Sequence, residues 1–248
     1  MTAAVTHHPL SAARAFGVVM GPSAIVDVAA GACVAETTRA VAHRRAPAPW
    51  ALAGTAGVAA YARWARPWMR RWGATGSDAD DGRPLHAVSI DAPVGDVWPW
   101  LAQIGQDRGG FYSYDWLENL AGCELHNAEA VHPEWQDRAP GDTVLLHPIV
   151  GMPITRFEPG RAISLEGWGE FVLEPEAGGR CRLIVRGEPA RGIKALVYAL
   201  LVEFPHFVME RKMLLGIKSR AERSRVTSSA PAATRSRDSA QAAAPATS

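Results

Sequence analysis

Two pairs of residues have the types and spacing for acid–base chemistry. Glu166 and Glu170 flank Gly167-Trp168-Gly169. Two carboxylates that close could divide the roles of acid and base if their environments pushed their pKa values apart. The intervening glycines favour the solvated end of a hairpin instead, with Trp168 suited to a pocket rim. His206 and Glu210 lie four residues apart and share a face if that segment is helical. No third ligand stands at a recognisable metal spacing, so an intrahelical hydrogen bond is the plain reading and no metal is expected. The run Phe111-Tyr112-Ser113-Tyr114-Asp115-Trp116 is densely aromatic. Its tyrosines could donate to a ligand carbonyl in an apolar cavity, or its rings could simply pack two short helices on a sheet.

Other chemistries lack their residues. Gly109-Gly110 is too short for a phosphate loop and follows no strand pattern. There is no GxSxG elbow and no Cys/His pair in a triad context. Cys33, Cys123 and Cys181 are widely spaced and odd in number, so neither a zinc site nor a disulfide framework is expected. A formal net charge of +1 gives no case for nucleic-acid binding. No cofactor is implied.

The elements that must position these residues follow from periodicity. Residues 84–224 alternate strand and helix patterns. Leu85 to Asp91 reads as a strand with Val88 and Ile90 on one side, and Pro93 opens a helix carrying Val97, Trp98, Leu101 and Ile104. A short helix is expected over residues 114–120. Strands are expected over 142–146, 152–157, 161–166, 170–174 and 181–186, separated by Pro159-Gly160, Gly167 to Gly169 and Gly178-Gly179. Phe207, Val208, Leu214, Leu215 and Ile217 then mark the apolar side of a long C-terminal helix. The expected fold is α+β: a curved antiparallel sheet wrapped on one long helix, which leaves a gap where the sheet curls away.

The flanks differ. Residues 1–83 are rich in Ala, Gly and Arg and are expected to form a helical extension. Between Arg45 and Arg63 no residue is charged, and Trp50, Tyr61, Trp64, Trp68 and Trp72 bracket that stretch. Aromatic residues with arginines beyond them are the pattern of an interfacial anchor, so residues 50–72 are expected to cross or lie on a membrane, with the following domain cytoplasmic. The earlier stretch 15–34, broken by Gly21-Pro22 and Asp27, reads as an Ala-rich packed helix. Residues 225–248 carry almost nothing large and apolar and are expected to be disordered.

The segments Ile90-Asp91-Ala92-Pro93 with Val97-Trp98-Pro99-Trp100-Leu101, GGFYSYDWLENL (109–120), EPGRAISL (158–165), RLIVR (182–186) and PHFVMERKMLLGIKSRAE (205–222) together resemble the SRPBCC superfamily. That superfamily holds START, Bet v 1 and polyketide cyclase/dehydrase-like proteins. The resemblance covers about residues 85–224 and is closest to a bacterial subgroup with an N-terminal hydrophobic segment. It implies a helix-grip fold around a pocket for a hydrophobic small molecule or lipid, and it carries no catalytic set. Trp98, Tyr112, Tyr114, Trp116, Trp168, His206, Phe207 and Met213 are the candidate lining. The alternatives are an aromatase/cyclase-type enzyme acting on a polyketide-like chain through Glu166, Glu170 or His206, and a protein-interaction domain.

Overall fold

The alternation at Ile163/Leu165, Phe171/Leu173 and Leu183/Val185 is that of neighbouring strands in one antiparallel sheet. A computed structural model of the chain describes residues 9–120, 123, 125–148, 150–189 and 192–229. Six strands are present: β1 (Leu85–Ile90), β2 (Thr143–His147), β3 (Val150–Glu158), β4 (Ala162–Leu165), β5 (Gly169–Glu176) and β6 (Arg180–Gly187). They form one open sheet in the order β1-β6-β5-β4-β3-β2. Strands β2 to β6 run as a meander, and β1 closes the order by pairing with β6, Val88 opposite Leu183. The architecture is therefore α+β, with a long C-terminal helix.

Helix α4 (Val94–Ala102) and α7 (Glu203–Ser229) cover one face of the sheet. Met213, Leu214, Ile217 and Ala221 of α7 meet Leu101, Ile104, Phe171 and Leu183 in one buried cluster. Each of the larger side chains contributes about 1.5–3 kcal/mol by leaving water. The short α5 (Asp115–Leu120) follows the aromatic run. At Gly216 an added Cβ would lie 2.3 Å from the Tyr112 carbonyl oxygen, so α7 can approach that loop only with glycine there.

The N-terminal extension is helical. It comprises α1 (Pro9–Ala42), α2 (Pro49–Ala60), a π-helical turn (Tyr61–Ala65) and α3 (Arg66–Arg70). Gly21-Pro22 does not end α1. The hairpin of α1 and α2 is marked by Thr37 bonded to Thr55 at 3.0 Å. The chain from residue 71 to 78 then covers the outer face of β1 and β6. Arg182 forks onto Asp78 at 2.7 and 3.0 Å and also donates to the Gly73 carbonyl, while Ala74 packs on Leu85, Ala87 and Ile184. Gly73 has φ +78°, and an added Cβ would sit 1.9 Å from the Ala87 carbonyl oxygen. No other residue fits there.

A second π-helical turn, Tyr198–Val202, joins α6 (Gly192–Val197) to α7. It precedes Pro205, whose missing N–H and ring oppose an α-type bond to the Leu201 carbonyl. The register slips instead, and the Glu203 N–H bonds to the Tyr198 carbonyl. The turn at Tyr61–Ala65 likewise precedes a proline, Pro67.

Two expectations change. The C-terminal helical segment begins at Gly192, well before Phe207, because the slip carries the helix through Pro205. Residues 225–229 belong to α7, and Arg225 donates to the Asp91 carbonyl at 2.6 Å; the rest of the expected disordered tail lies outside the described residues. Among the described residues, no helix is long and apolar enough to cross a membrane.

Candidate functional site

A cavity of about 870 Å³ lies where the sheet diverges from the start of α7. One wall comes from β2, β3 and the loop before α5, through Leu146, Met152 and Phe111. The opposite wall is α7, and α3 closes one side with Met69. Four of the six methionines, Met69, Met152, Met209 and Met213, line it. Unbranched thioether side chains adapt their shape, which suits a cavity that accepts flexible apolar molecules.

One polar cluster interrupts this lining. Glu210 is buried on α7, and its carboxylate accepts from two other elements and faces His206 on its own helix. His86 Nδ1 of β1 stands 2.5 Å from Oε1, Trp168 Nε1 of the β4–β5 turn donates to Oε2 at 2.7 Å, and His206 Nε2 lies 3.3 Å from Oε2. The Tyr198 hydroxyl is 2.8 Å from His206 Nδ1. Burial alone would raise the Glu210 carboxyl. The His206 and His86 rings and the Trp168 N–H outweigh it and hold the group below the usual carboxylate range. Burial pushes His206 below the ordinary imidazole value, against the pull of Glu210. A neutral His206 then accepts from the Tyr198 hydroxyl at Nδ1 and turns its Nε2 edge toward Glu210. Burial likewise raises the Tyr198 phenol, with Glu210 and Glu203 adding to the effect. The chain Tyr198–His206–Glu210–His86 can orient a polar ligand group or move a proton along it.

At the rim, Arg66 Nε and Arg70 Nη1 of α3 bind the Glu203 carboxylate at 2.6 and 2.9 Å. This pair ties α3 to the first turn of α7, and both Arg70 and Glu203 line the cavity.

The structure brings Trp168, His206, Phe207 and Met213 to the cavity. It places the other four candidates elsewhere. Tyr112 is buried core: its hydroxyl accepts from Gln103 Nε2 at 2.9 Å, donates to the Trp100 carbonyl at 3.2 Å, and its ring lies under Arg220. Trp98 packs on Phe157 at 5.3 Å. Tyr114 sits beneath the Lys212 ammonium. Trp116 is 66% exposed on α5. Glu166 and Glu170 are not in the lining, and Glu170 is held by Arg156 at 2.6 Å. Among the described residues, no group of His, Cys, Asp or Glu could hold a metal.

Sequence reasoning missed His86, Tyr198 and Glu203. His86 had a signal: it shares strand parity with Val88 and Ile90, so a histidine stood at an inward position of an apolar strand. Tyr198 and Glu203 had none, because the segment before Phe207 was not read as helix. No known protein family, curated protein or solved structure matches the chain.

Proposed function

We propose that residues 84–224 are a helix-grip domain of the SRPBCC kind that binds a hydrophobic small molecule or lipid in the cavity beside α7. The observation that carries the reading is a cavity of about 870 Å³ whose methionine-rich wall holds the buried, hydrogen-bonded Glu210 carboxylate, with the Arg66–Arg70–Glu203 ion pair at its rim. Ligand sites of this size are mostly apolar, with a few placed polar groups that fix orientation. A ligand with an apolar body and one hydrogen-bonding group matches that lining, its polar end meeting the edge presented by Tyr198 and His206. The test is native mass spectrometry of the full chain purified without detergent, followed by solvent extraction. A co-purifying molecule of defined mass supports the reading. A clean apo mass that persists after incubation with fatty acids and aromatic polyketides overturns it.

A second reading draws on the same cluster. Linked hydroxyl, imidazole and carboxylate groups suit enolisation or dehydration of a ketone, as in an aromatase/cyclase acting on a polyketide-like chain. Of the acid–base groups first considered for that role, only His206 faces the cavity. Turnover of a poly-β-ketone that is lost in both His206→Gln and Tyr198→Phe would favour catalysis over simple binding.

A further inference from the structure

We propose that α1, α2, α3 and α6 form one face that lies in the plane of an anionic bilayer. This sets the cavity mouth against the acyl region, so that the ligand is an amphiphile drawn from the membrane. The ligand part rests on the binding reading above; the docking part stands alone.

Three faces carry the inference. Along α6 and its continuation, Ile193, Leu196, Val197, Leu200 and Phe204 are all exposed, Ile193 at 72%. Their spacing places them on one stripe, where a water-facing helix would carry charge. On α1, Ile25, Val26, Val28 and Val34 are exposed, and no charged residue follows Asp27 until Glu36. On the α2–α3 helix, Trp50, Leu52, Trp64 and Trp68 are exposed. Helix α1 packs against both α2 and the π-helical turn Tyr198–Val202, so the helices that carry these exposed residues adjoin. Isolated exposed apolar residues need no explanation, but a contiguous surface of this kind marks an interaction site.

Charge selects lipid as the occupant. From residue 9 to 77 the acids are Asp27 and Glu36 alone, against eight arginines. Arg39, Arg44 and Arg63 are exposed, and among the described residues no acid pairs with them. Arg44 and Arg45 lie at the α1–α2 loop near Trp50, and Arg63 lies beside Trp64 at the other end of α2. Tryptophan at both ends with arginine next to it matches a headgroup layer, and the arginines match anionic lipid. The helices lie on the surface instead of crossing, in keeping with the absence of a described helix that could span.

The mouth links this face to the cavity. Met69, Arg70, Tyr198, Val202 and Glu203 line the cavity. Trp68 and Phe204, next to Met69 and Glu203, and Leu200, between Tyr198 and Val202, are exposed apolar residues. An apolar molecule entering between α3 and the π-helical turn would pass from one to the other without crossing water.

The experiment is co-flotation of the full chain with vesicles of phosphatidylglycerol and phosphatidylethanolamine, and with pure phosphatidylcholine. The wild type floats with the anionic vesicles and much less with the neutral ones. Leu196→Glu/Leu200→Glu lowers its partition coefficient by at least ~100-fold, from the loss of two leucines that enter the bilayer. That variant keeps its circular dichroism and, in detergent-free buffer, its binding of a fluorescent fatty acid. Flotation without fatty-acid binding would keep the docking and sink the binding reading. Fatty-acid binding without flotation would overturn the docking proposal. So would a wild type that ignores vesicles and runs as a dimer that the same double substitution splits, because the face would then be covered by a second copy.

Discussion

Replacing Glu210 tests the polar hub of the cavity. Its carboxylate accepts from the buried His86 ring and the half-buried Trp168 N–H, and lies 3.3 Å from the half-buried His206 Nε2. Glu210→Ala removes the shared acceptor from all of them. Breaking a buried ionic or charge-assisted cluster from one side costs about 3–5 kcal/mol. For a chain of this length that corresponds to a fall in Tm of roughly 10 °C. Glu210→Gln keeps the shape and one acceptor. Its oxygen keeps the Trp168 N–H while its amide donates to His86 Nδ1 once that ring carries its proton on Nε2, so the expected cost is only about 1–2 kcal/mol. Thermal unfolding followed by circular dichroism at neutral pH reads both values. The order Ala well below Gln, and Gln below wild type, is the expected result. A Glu210→Ala protein within about 1 kcal/mol of wild type would refute the argument, since the buried His86 ring and the Trp168 N–H cannot lose their shared acceptor that cheaply.

Acidification should act in two stages. His206 is held neutral in the fold, so the unfolded chain takes up a proton first and stability falls as pH drops below about 6.5. Glu210 is held ionised, so its contribution is complete above the ordinary carboxylate value and is lost as pH falls through its lowered folded value. Urea denaturation across pH should show both stages, and His206→Gln should flatten the upper one; an unchanged upper slope would place the proton elsewhere. Asp78→Ala should free residues 73–78 from β6, at about 2–4 kcal/mol for a buried arginine left unpaired. Faster amide exchange confined first to that segment and to β1 would be the signature. Gly73→Ala should destabilise by about 2–4 kcal/mol, because the left-handed backbone and the Ala87 carbonyl both exclude a Cβ; a neutral result in the same denaturation assay would mean the linker can lift off at no cost.

The sheet was legible because its period is local. Ile163 with Leu165 and Phe171 with Leu173 turn inward together, and glycine pairs mark the hairpins between the strands. Helix α4 was legible for the same reason, since Val97, Leu101 and Ile104 repeat on one face. The site was less so. His86 and Glu210 are 124 residues apart, and no periodicity joins them. The aromatic run gave the presence of rings and not their directions: Tyr112 turns into the core with φ +54°, while Trp116 on the next helix turns out. The stretch from Gly192 to Val202 has Lys194 as its one charged residue and runs into Pro205, so its helical state depended on a register slip that local propensity does not encode. Its apolar exposure only becomes meaningful once α1 is seen beside it.

Binding of a fluorescent fatty acid to the wild type and to Met152→Trp tests whether the cavity is the ligand site. Met152 faces the cavity, and a larger ring there fills its space. The expected result is saturable binding at one site by the wild type, weakened at least ~10-fold in the variant, about 1.4 kcal/mol, with Tm held. Equal binding by both proteins, or none by the wild type, would contradict a ligand in that cavity.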